Sequence, residues 1–208
     1  METKPNIALE AKPNIALEAK RKVAISKKLS YFLRHHLDAI PGANSVDTSG
    51  YVLISTLLKM RDFVSMGIKF DEVIEVIEQC EKQRFKLDST GLKVRANQGH
   101  SLKSGELINQ NQLLTKLTEW QDYCVHGTTH QAIRQIKQTG LNKMQRTHIH
   151  FASKPNAKSG FRSNSKVLIY LDMEKAMKDG IEFFKSDNEV ILSPGPIDPK
   201  YFKKIEYN

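Results

Sequence analysis

Residues 85–96, FKLDSTGLKVRA, decide the fold class, because the apolar residues change here from a helical spacing to a strand spacing. Phe85 and Leu87 alternate with charged residues, and Val94 repeats the pattern after a Ser-Thr-Gly turn. Alternation with a period of two on both sides of a turn is typical of two paired strands. The stretch therefore predicts a β-hairpin.

Three helices are predicted before this hairpin, each from apolar residues at helical spacing. We expect Thr48 or Ser49 to cap the second helix and Gly67 to end it. Three helices followed by a hairpin is the winged-helix order, which is often used against nucleic acid. The three apolar stripes are Ile25, Leu29, Phe32 and Leu33; Leu53, Leu57 and Leu58; and Phe70, Val73, Ile74 and Ile77.

The second half of the chain has a different pattern, in which short apolar runs alternate with polar loops and helices. The fold class is therefore α+β, with a boundary near residue 105. Strands are predicted near 123–126, 148–152, 166–171 and 189–192, and helices near 129–138 and 173–178. We expect three regions: a tail at 1–20, a winged-helix-like lobe at 21–104 and a mixed α/β lobe at 105–208.

The tail contains a tandem repeat, KPNIALEA at 4–11 and again at 12–19. A proline every eight residues disfavours a continuous helix, and two copies are too few for a repeat architecture. The sequence predicts a flexible segment without a chemical role.

Composition narrows the classes of partner and environment. Lys and Arg outnumber Asp and Glu by 32 to 23, giving a net charge of +9 and favouring a polyanion such as nucleic acid. Two cysteines in 208 residues do not make a disulfide framework, and no apolar run approaches the roughly 20 residues of a membrane span. We expect a soluble intracellular protein, a monomer, with no membrane partner.

The candidate residues of the first lobe are unremarkable when taken singly. Arg34 and His35 lie on the first helix, with Arg34 off the apolar stripe, so solvated side chains are the ordinary interpretation. Arg95 projects from the polar face of the hairpin beside Lys86 and Lys93, as in a generic basic wing.

The second lobe contains a small histidine-rich set. His126-Gly127-Thr128 follows a predicted strand and opens a predicted helix, where N–H groups and a hydroxyl are suited to a phosphate or ribose. His148 and His150 are two apart on a strand and share a face. With Cys124 and His126 they offer a rival interpretation, a four-ligand zinc site. Nucleotide binding is the better explanation, because a zinc site leaves Gly127-Thr128 without a role.

Read together, six ordered stretches resemble the RNA 2′-phosphotransferase family across almost the whole chain after the tail. RANQGHS at 95–101 is the most distinctive phrase. The turn HLDAIPGAN is longer and more polar than is usual in that family, and the tail has no counterpart there. The stretches are KKLSYFLRHH, EKQRFKLDSTGLKVRANQGHS, HGT, RTHIHFAS, GFRSNSKVLIYLD and DGIEFFKSDNEVIL.

The resemblance implies a winged-helix-like lobe on the RNA side and an ADP-ribosyltransferase-like lobe that binds NAD, with the active site between them. No GxGxxG motif follows a strand, so NAD would not use a Rossmann crevice. By the same resemblance, the catalytic residues are Arg34, His35, Arg95 and Arg162, and the NAD-binding residues are His126, Gly127, Thr128, Arg146, His148, His150 and Ser153.

The resemblance also implies a two-step reaction on an RNA with an internal 2′-phosphate, with tRNA as the expected partner. The phosphate displaces nicotinamide from C1″ of the NAD ribose. The neighbouring 2″-hydroxyl then attacks the phosphorus, and the RNA 2′-oxygen leaves. The products are RNA with a 2′-hydroxyl and ADP-ribose 1″,2″-cyclic phosphate. No metal is expected, because arginines take the place that Mg²⁺ holds in many phosphoryl transfers.

Two alternatives remain open at this point. The first is ADP-ribosylation of a terminal nucleic-acid phosphate, which needs only the first step. The second is an RNA-binding protein without catalysis, which would use the basic wing and no cofactor.

Overall fold

The computed structural model describes residues 15–42, 45–161 and 165–208. The expected catalytic Arg162 lies outside these residues, as does the tail up to residue 14. The described part is a mixed α/β protein with eight α-helices and three antiparallel sheets, which agrees with the predicted fold class at that level. None of its helices is long and apolar enough to cross a bilayer.

The first predicted helix is α1 (Ile15–His35), and its apolar stripe is buried as expected. The helix begins earlier than predicted, so residues 15–20 are helical instead of belonging to a flexible tail. Arg21 explains part of this difference: its guanidinium binds both carboxylate oxygens of Glu72 and so ties the start of α1 to a later helix. The flexible tail was predicted from the repeated proline, and a tertiary contact of this kind leaves no mark in the local sequence.

The hairpin is confirmed as β2 (Phe85–Leu87) and β3 (Lys93–Ala96), but the sheet has a third strand, β1 (Val52–Leu53). Val52 pairs with Val94 in antiparallel register.

This extra strand changes the second predicted helix, which is divided into α2 (Ile54–Leu58) and α3 (Arg61–Ser65). Leu53 occupies the N-cap position of α2, so the prediction of a cap at Thr48 or Ser49 was wrong. The third predicted helix is confirmed as α4 (Phe70–Glu78), with its acids in the first turn.

Beyond the hairpin, the helices α5 (Leu102–Gly105) and α6 (Gln110–Leu113) precede two sheets. One has the strand order β10-β7-β5 and the other β4-β8-β9-β6. The helices α7 (His130–Thr139) and α8 (Met173–Lys178) lie where they were predicted. The strands are β4 (Leu114–Lys116), β5 (Val125–Thr128), β6 (Ile149–Phe151), β7 (Val167–Leu171), β8 (Phe184–Ser186), β9 (Ile191–Ser193) and β10 (Phe202–Tyr207).

Buried apolar side chains form two clusters. One is built mainly from α1 to α4 and the first sheet, and the other from the sheet β10-β7-β5 with α7 and α8. The first cluster extends past the expected boundary near 105, because it includes Ile108, Leu113, Leu114, Val190 and Leu192. The two predicted lobes are therefore joined by shared apolar packing, which holds α1 and β3 against the turn between β8 and β9.

Candidate active site

Arg34 lies in the last turn of α1, with its side chain turned into the protein. Its Nε and Nη2 atoms are buried and have no hydrogen-bond partner among the residues that the structure describes. A Cβ added at Gly99 would lie 3.6 Å from the guanidinium carbon, so the glycine backbone runs directly alongside this group. Burial, then the charges of Arg146 and Arg84, lower the pKa of Arg34 to about 10. The interpretation of Arg34 as an ordinary solvated residue is thus wrong.

His35 follows on the same helix and is half-buried. Burial lowers its pKa below the ordinary value of 6.5, and the charges of Arg34 and Arg146 lower it further. The imidazole is therefore neutral near pH 7 and able to accept a proton.

Arg95 is only 6% exposed, so it is not a side chain of a generic basic wing. Its Nη2 donates to Asp187 Oδ2 at 2.8 Å, and its guanidinium lies 4.9 Å from the centre of the Tyr51 ring. The same Asp187 oxygen accepts from Lys86 Nζ at 2.7 Å. The Nε of Arg95 is buried and has no partner within the described ranges.

The segment after β3 joins α1 to β6 through backbone hydrogen bonds. Ser101 N donates to Arg34 O at 2.9 Å, and Thr147 N donates to His100 O at 3.1 Å. Ser101 also forms an isolated antiparallel bridge with Arg146. These contacts bring the end of α1, the RANQGHS stretch and the segment RTHIHFAS into one place.

Side chains extend this network towards the second half of the chain. His150 Nε2 lies 2.9 Å from Gln98 Oε1, and His126 Nδ1 lies 2.9 Å from His150 O. His148 Nδ1 lies 3.0 Å from the Thr147 hydroxyl. His126, His148 and His150 thus belong to one chain of contacts that reaches the RANQGHS segment.

The buried histidines of this network are held neutral. Burial, followed by the charges of Arg34, His35 and Arg95, lowers the pKa of His100 to about 3. Burial lowers the pKa of His148 to about 4 and that of His150 well below 6.5. His126 shifts in the same direction for the same reason. Arg34 of α1 and Arg95 of β3 therefore both lower the pKa of His100, although they come from different elements.

The expected loop at 126–128 is instead part of a strand. His126, Gly127 and Thr128 belong to β5, and Thr129 caps α7 by accepting from Ala132 N at 3.2 Å. The strand thus ends two residues after the predicted position, and the helix begins one residue after it. At Gly127 an added Cβ would lie 2.6 Å from both Phe161 Cβ and Ser165 Oγ, so only glycine lets Phe161 and Ser165 lie this close.

Ser153 has a separate environment from the histidine chain. Its hydroxyl donates to Glu189 O at 2.6 Å, and it lines a polar surface cavity together with residues 81–83 and 154–159. Its expected role in NAD binding stays a prediction.

Sequence reasoning missed four residues that complete the site: Gln98, His100, Arg84 and Asp187. The distinctive RANQGHS stretch contained two of them, and a neutral histidine there could have been suspected. Nothing in the local sequence marks Arg84 or Asp187, since their roles depend on contacts with distant residues. The described ranges contain no group of three His, Cys, Asp or Glu residues that could hold a metal ion.

The amino-acid sequence was compared with protein families and with known proteins. Residues 20–195 match the family described as RNA 2′-phosphotransferase, Tpt1 / KptA family. A tRNA 2′-phosphotransferase 1 of Mus musculus is 42% identical over 194 residues, covering 86% of this chain and 74% of that protein. One of Danio rerio is 36% identical over 196 residues, covering 87% and 84%.

A bacterial relative shows the same likeness without longer flanking regions. A probable RNA 2′-phosphotransferase of Nostoc punctiforme is 36% identical over 183 residues, covering 86% of this chain and 95% of that protein. Matches of this extent include every described segment of the candidate site. The chain therefore belongs to the RNA 2′-phosphotransferase, Tpt1 / KptA family.

Proposed function

We propose that this protein removes an internal 2′-phosphate from RNA, with tRNA as its substrate, by transferring the phosphate to ADP-ribose supplied by NAD. The observation that carries the proposal is the guanidinium of Arg34, which is buried with two unused donor atoms among other positive charges. A phosphate monoester carries close to two negative charges near pH 7, and a guanidinium binds it through paired N–H donors. The unused donors of Arg34 suit such a ligand.

The charge around Arg34 favours an anion over a neutral ligand. Arg84 and Arg146 are the neighbouring charges that act most strongly on it, and both are positive. Buried charges in proteins are normally paired or hydrogen-bonded, since desolvation otherwise makes them costly. A dianion bound here would supply that missing interaction.

Arg95 is assigned to the same phosphate by its Nε, the donor that is left unused by the Asp187 and Tyr51 contacts. Those contacts hold the guanidinium in one orientation before substrate arrives. Preorganised donors of this kind are typically worth about 3 to 4 kcal/mol each in a transition state. Arg162 completes the proposed trio by resemblance alone.

His35 is proposed to act on protons in the second step. Neutral in the free protein, it accepts a hydrogen bond or a proton. A bound dianion would offset the neighbouring arginine charges and raise the pKa of the imidazole, so that it could protonate the departing RNA 2′-oxygen.

The neutral histidine chain suits the NAD side of the reaction. NAD supplies a ribose C1″ with nicotinamide as the leaving group. Its nicotinamide ring is cationic, so the neutral imidazoles of His126, His148 and His150 offer hydrogen bonds without charge repulsion. Thr128 and Gly127, with Arg146 and Ser153, complete the proposed pocket. The two-lobe assignment, RNA on 21–104 and NAD on 105–208, belongs to this proposal.

The test is incubation of the full chain with NAD and a short RNA bearing one internal 2′-phosphate. We expect release of nicotinamide, RNA with a 2′-hydroxyl, and ADP-ribose 1″,2″-cyclic phosphate, identified by mass spectrometry. An RNA with only a 5′-phosphate serves as the second substrate. Modification of that end without formation of the cyclic phosphate would favour the first alternative, and no nicotinamide release from either RNA would favour a binding protein.

The division of labour between the two steps makes a sharper prediction. Alanine at His35 or Arg95 should slow the second step more than the first, because charge and protons move mainly during release of the RNA 2′-oxygen. ADP-ribosylated RNA should accumulate and be visible as a shifted band on a denaturing gel. Arg134→Ala, which removes an exposed arginine of α7, is the matched control and should behave as the unmodified protein. Loss of nicotinamide release in proportion to loss of final product would contradict the assignment.

A further inference from the structure

Tyr31 is a large aromatic residue that α1 leaves in solvent, with 48% of its surface exposed. Its ring stacks on that of His36, with centroids 4.1 Å apart and planes 28° from parallel. The Tyr31 ring also makes an edge-to-face contact with the ring of buried Phe32, with the centroids 5.1 Å apart, and this contact restricts its position. The two rings therefore form a short stack that is held in place and open to solvent.

The stack lies beside the candidate active site. Tyr31 and His35 are four residues apart on one helix and so occupy the same face, about 6 Å apart along the axis. His36 directly follows His35. A nucleotide whose phosphate is bound at His35 and Arg34 would have its neighbour within reach of the stack.

The same helix face carries an exposed lysine. Lys27 is exposed one turn before Tyr31, giving a stripe of Lys27, Tyr31 and His35 at a spacing of four residues. Lys28 Nζ lies 5.9 Å from the centre of the Tyr31 ring while it pairs with Asp62 at 2.6 Å. An aromatic ring flanked by cations matches a single strand of nucleic acid, which offers a flat base and a phosphate at each step.

We propose that the Tyr31–His36 stack binds a base of the substrate RNA adjacent to the 2′-phosphorylated nucleotide. This inference rests on the proposed function, since it takes the position of the 2′-phosphate from it. Base stacking tolerates any base, because every base has a π face. The stack thus positions the strand without reading its sequence, which suits an enzyme whose specificity comes from the phosphate.

The test is a double-mutant cycle that combines substitution of Tyr31 with removal of one RNA base. The quantity measured is the affinity for RNA in the absence of NAD. Fluorescence anisotropy gives the dissociation constant for a short 2′-phosphorylated RNA and for two versions of it, abasic on the 5′ or the 3′ side of that nucleotide. Tyr31→Ala should weaken binding of the complete RNA about tenfold, within the range typical of base–aromatic stacking. One abasic RNA should bind the unmodified protein equally weakly and should show no further loss with Tyr31→Ala. Equal losses on all three RNAs would overturn the proposal.

Matched variants separate stacking from other effects. Tyr31→Phe should retain the affinity within about twofold, whereas Tyr31→Leu, which keeps an apolar side chain but no ring, should behave as Tyr31→Ala. Trp120→Ala is the control. Trp120 is 51% exposed with Lys178 Nζ 6.0 Å from its ring, and it precedes β5, away from α1 in sequence. An equal loss with Trp120→Ala would also count against the proposal.

Failure of this proposal and failure of the proposed function give different results. If the 2′-phosphorylated RNA yields no nicotinamide but the cycle shows coupling, the stack stands and the reaction is wrong. If the cyclic phosphate forms but neither abasic RNA shows coupling, the reaction stands and the stack is wrong.

Discussion

At the scale of single residues, Arg34 combines two features that do not favour stability of the free protein. Its guanidinium is buried with two unused donors, and it lies among other positive charges. An unsatisfied buried polar group costs about 1 to 3 kcal/mol, so its retention indicates a ligand that uses it. Binding sites commonly sacrifice stability in this way.

The first prediction follows from that cost. Arg34→Met keeps an unbranched apolar stem, shorter than that of arginine, and removes the charge and the donors. We expect the free energy of unfolding, measured by urea denaturation, to rise by about 1 kcal/mol. Transfer of the 2′-phosphate should fall by about 100-fold or more in the same variant. Inorganic phosphate should raise the melting temperature of the unmodified protein more than that of Arg34→Met, because a ligand of the native state stabilises it.

The control for Arg34 is an arginine without these features. Arg134 is exposed on α7, and Arg134→Met should change the free energy of unfolding by no more than about 0.5 kcal/mol. A variant Arg34→Met that is less stable than the unmodified protein would show that the guanidinium is structural.

At the scale of elements, Asp187 joins the first sheet to the turn between β8 and β9. One of its oxygens accepts from both Arg95 of β3 and Lys86 of β2. The pair is asymmetric: the Arg95 side chain is 7% exposed and that of Asp187 is 38% exposed. Removal of the carboxylate therefore leaves a buried cation that still donates to the Ser49 and Gln112 carbonyls but has lost its anionic partner, which is the costly way to break such a pair.

The second prediction is that Asp187→Ala lowers the free energy of unfolding by about 2 kcal/mol, below the value for a fully buried pair because the carboxylate is partly solvated. Activity should fall as well, because Arg95 loses its orientation. Glu174→Ala removes a carboxylate from an exposed pair with Lys178 and should leave both the unfolding transition and the activity nearly unchanged. Equal effects of the two substitutions would show that the Asp187 contact is an ordinary surface pair.

The elements also show which local patterns were informative. The stripe of α4 and the alternation in β2 and β3 belong to segments whose own residues face one core, so periodicity predicted them. The two-residue strand β1 was missed because its pairing partner, Val94, is 42 positions away and no local pattern marks it. Strand β10 was missed for a related reason: its apolar residues at 202 and 205 do not alternate, and its register with β7 contains an irregularity.

At the scale of the whole molecule, the site contains several histidines that are held in their uncharged form by burial. Five histidines share this condition, and their pKa values lie below 6.5: His35, His100, His126, His148 and His150. The unfolded chain binds protons at these positions below about pH 6.5, while the folded protein does not. The free energy of unfolding therefore falls as the pH falls, since the unfolded state binds more protons.

The third prediction concerns the size of this loss in free energy of unfolding and the pH range in which it occurs. The pKa of His100 is about 3 in the folded protein and 6.5 unperturbed, so its contribution is lost progressively from pH 6.5 downwards. The loss attributable to this residue amounts to about 2 kcal/mol between pH 7 and pH 5. His100→Gln should reduce the slope of the free energy of unfolding against pH over that range, measured by urea denaturation at constant ionic strength. An unchanged slope with His100→Gln would refute the argument.

By itself, the sequence determined the class of fold, most of the elements and the family, because periodicity and ordered motifs are properties of the chain read in one dimension. Three properties became visible only in the folded chain: two guanidinium nitrogens of Arg34 are buried without a partner among the described residues, Arg95 is paired with Asp187, and His100 is neutral. These properties depend on desolvation and on charges from segments distant in sequence. Local patterns do not contain such contacts, since the groups meet only when the helices and sheets pack.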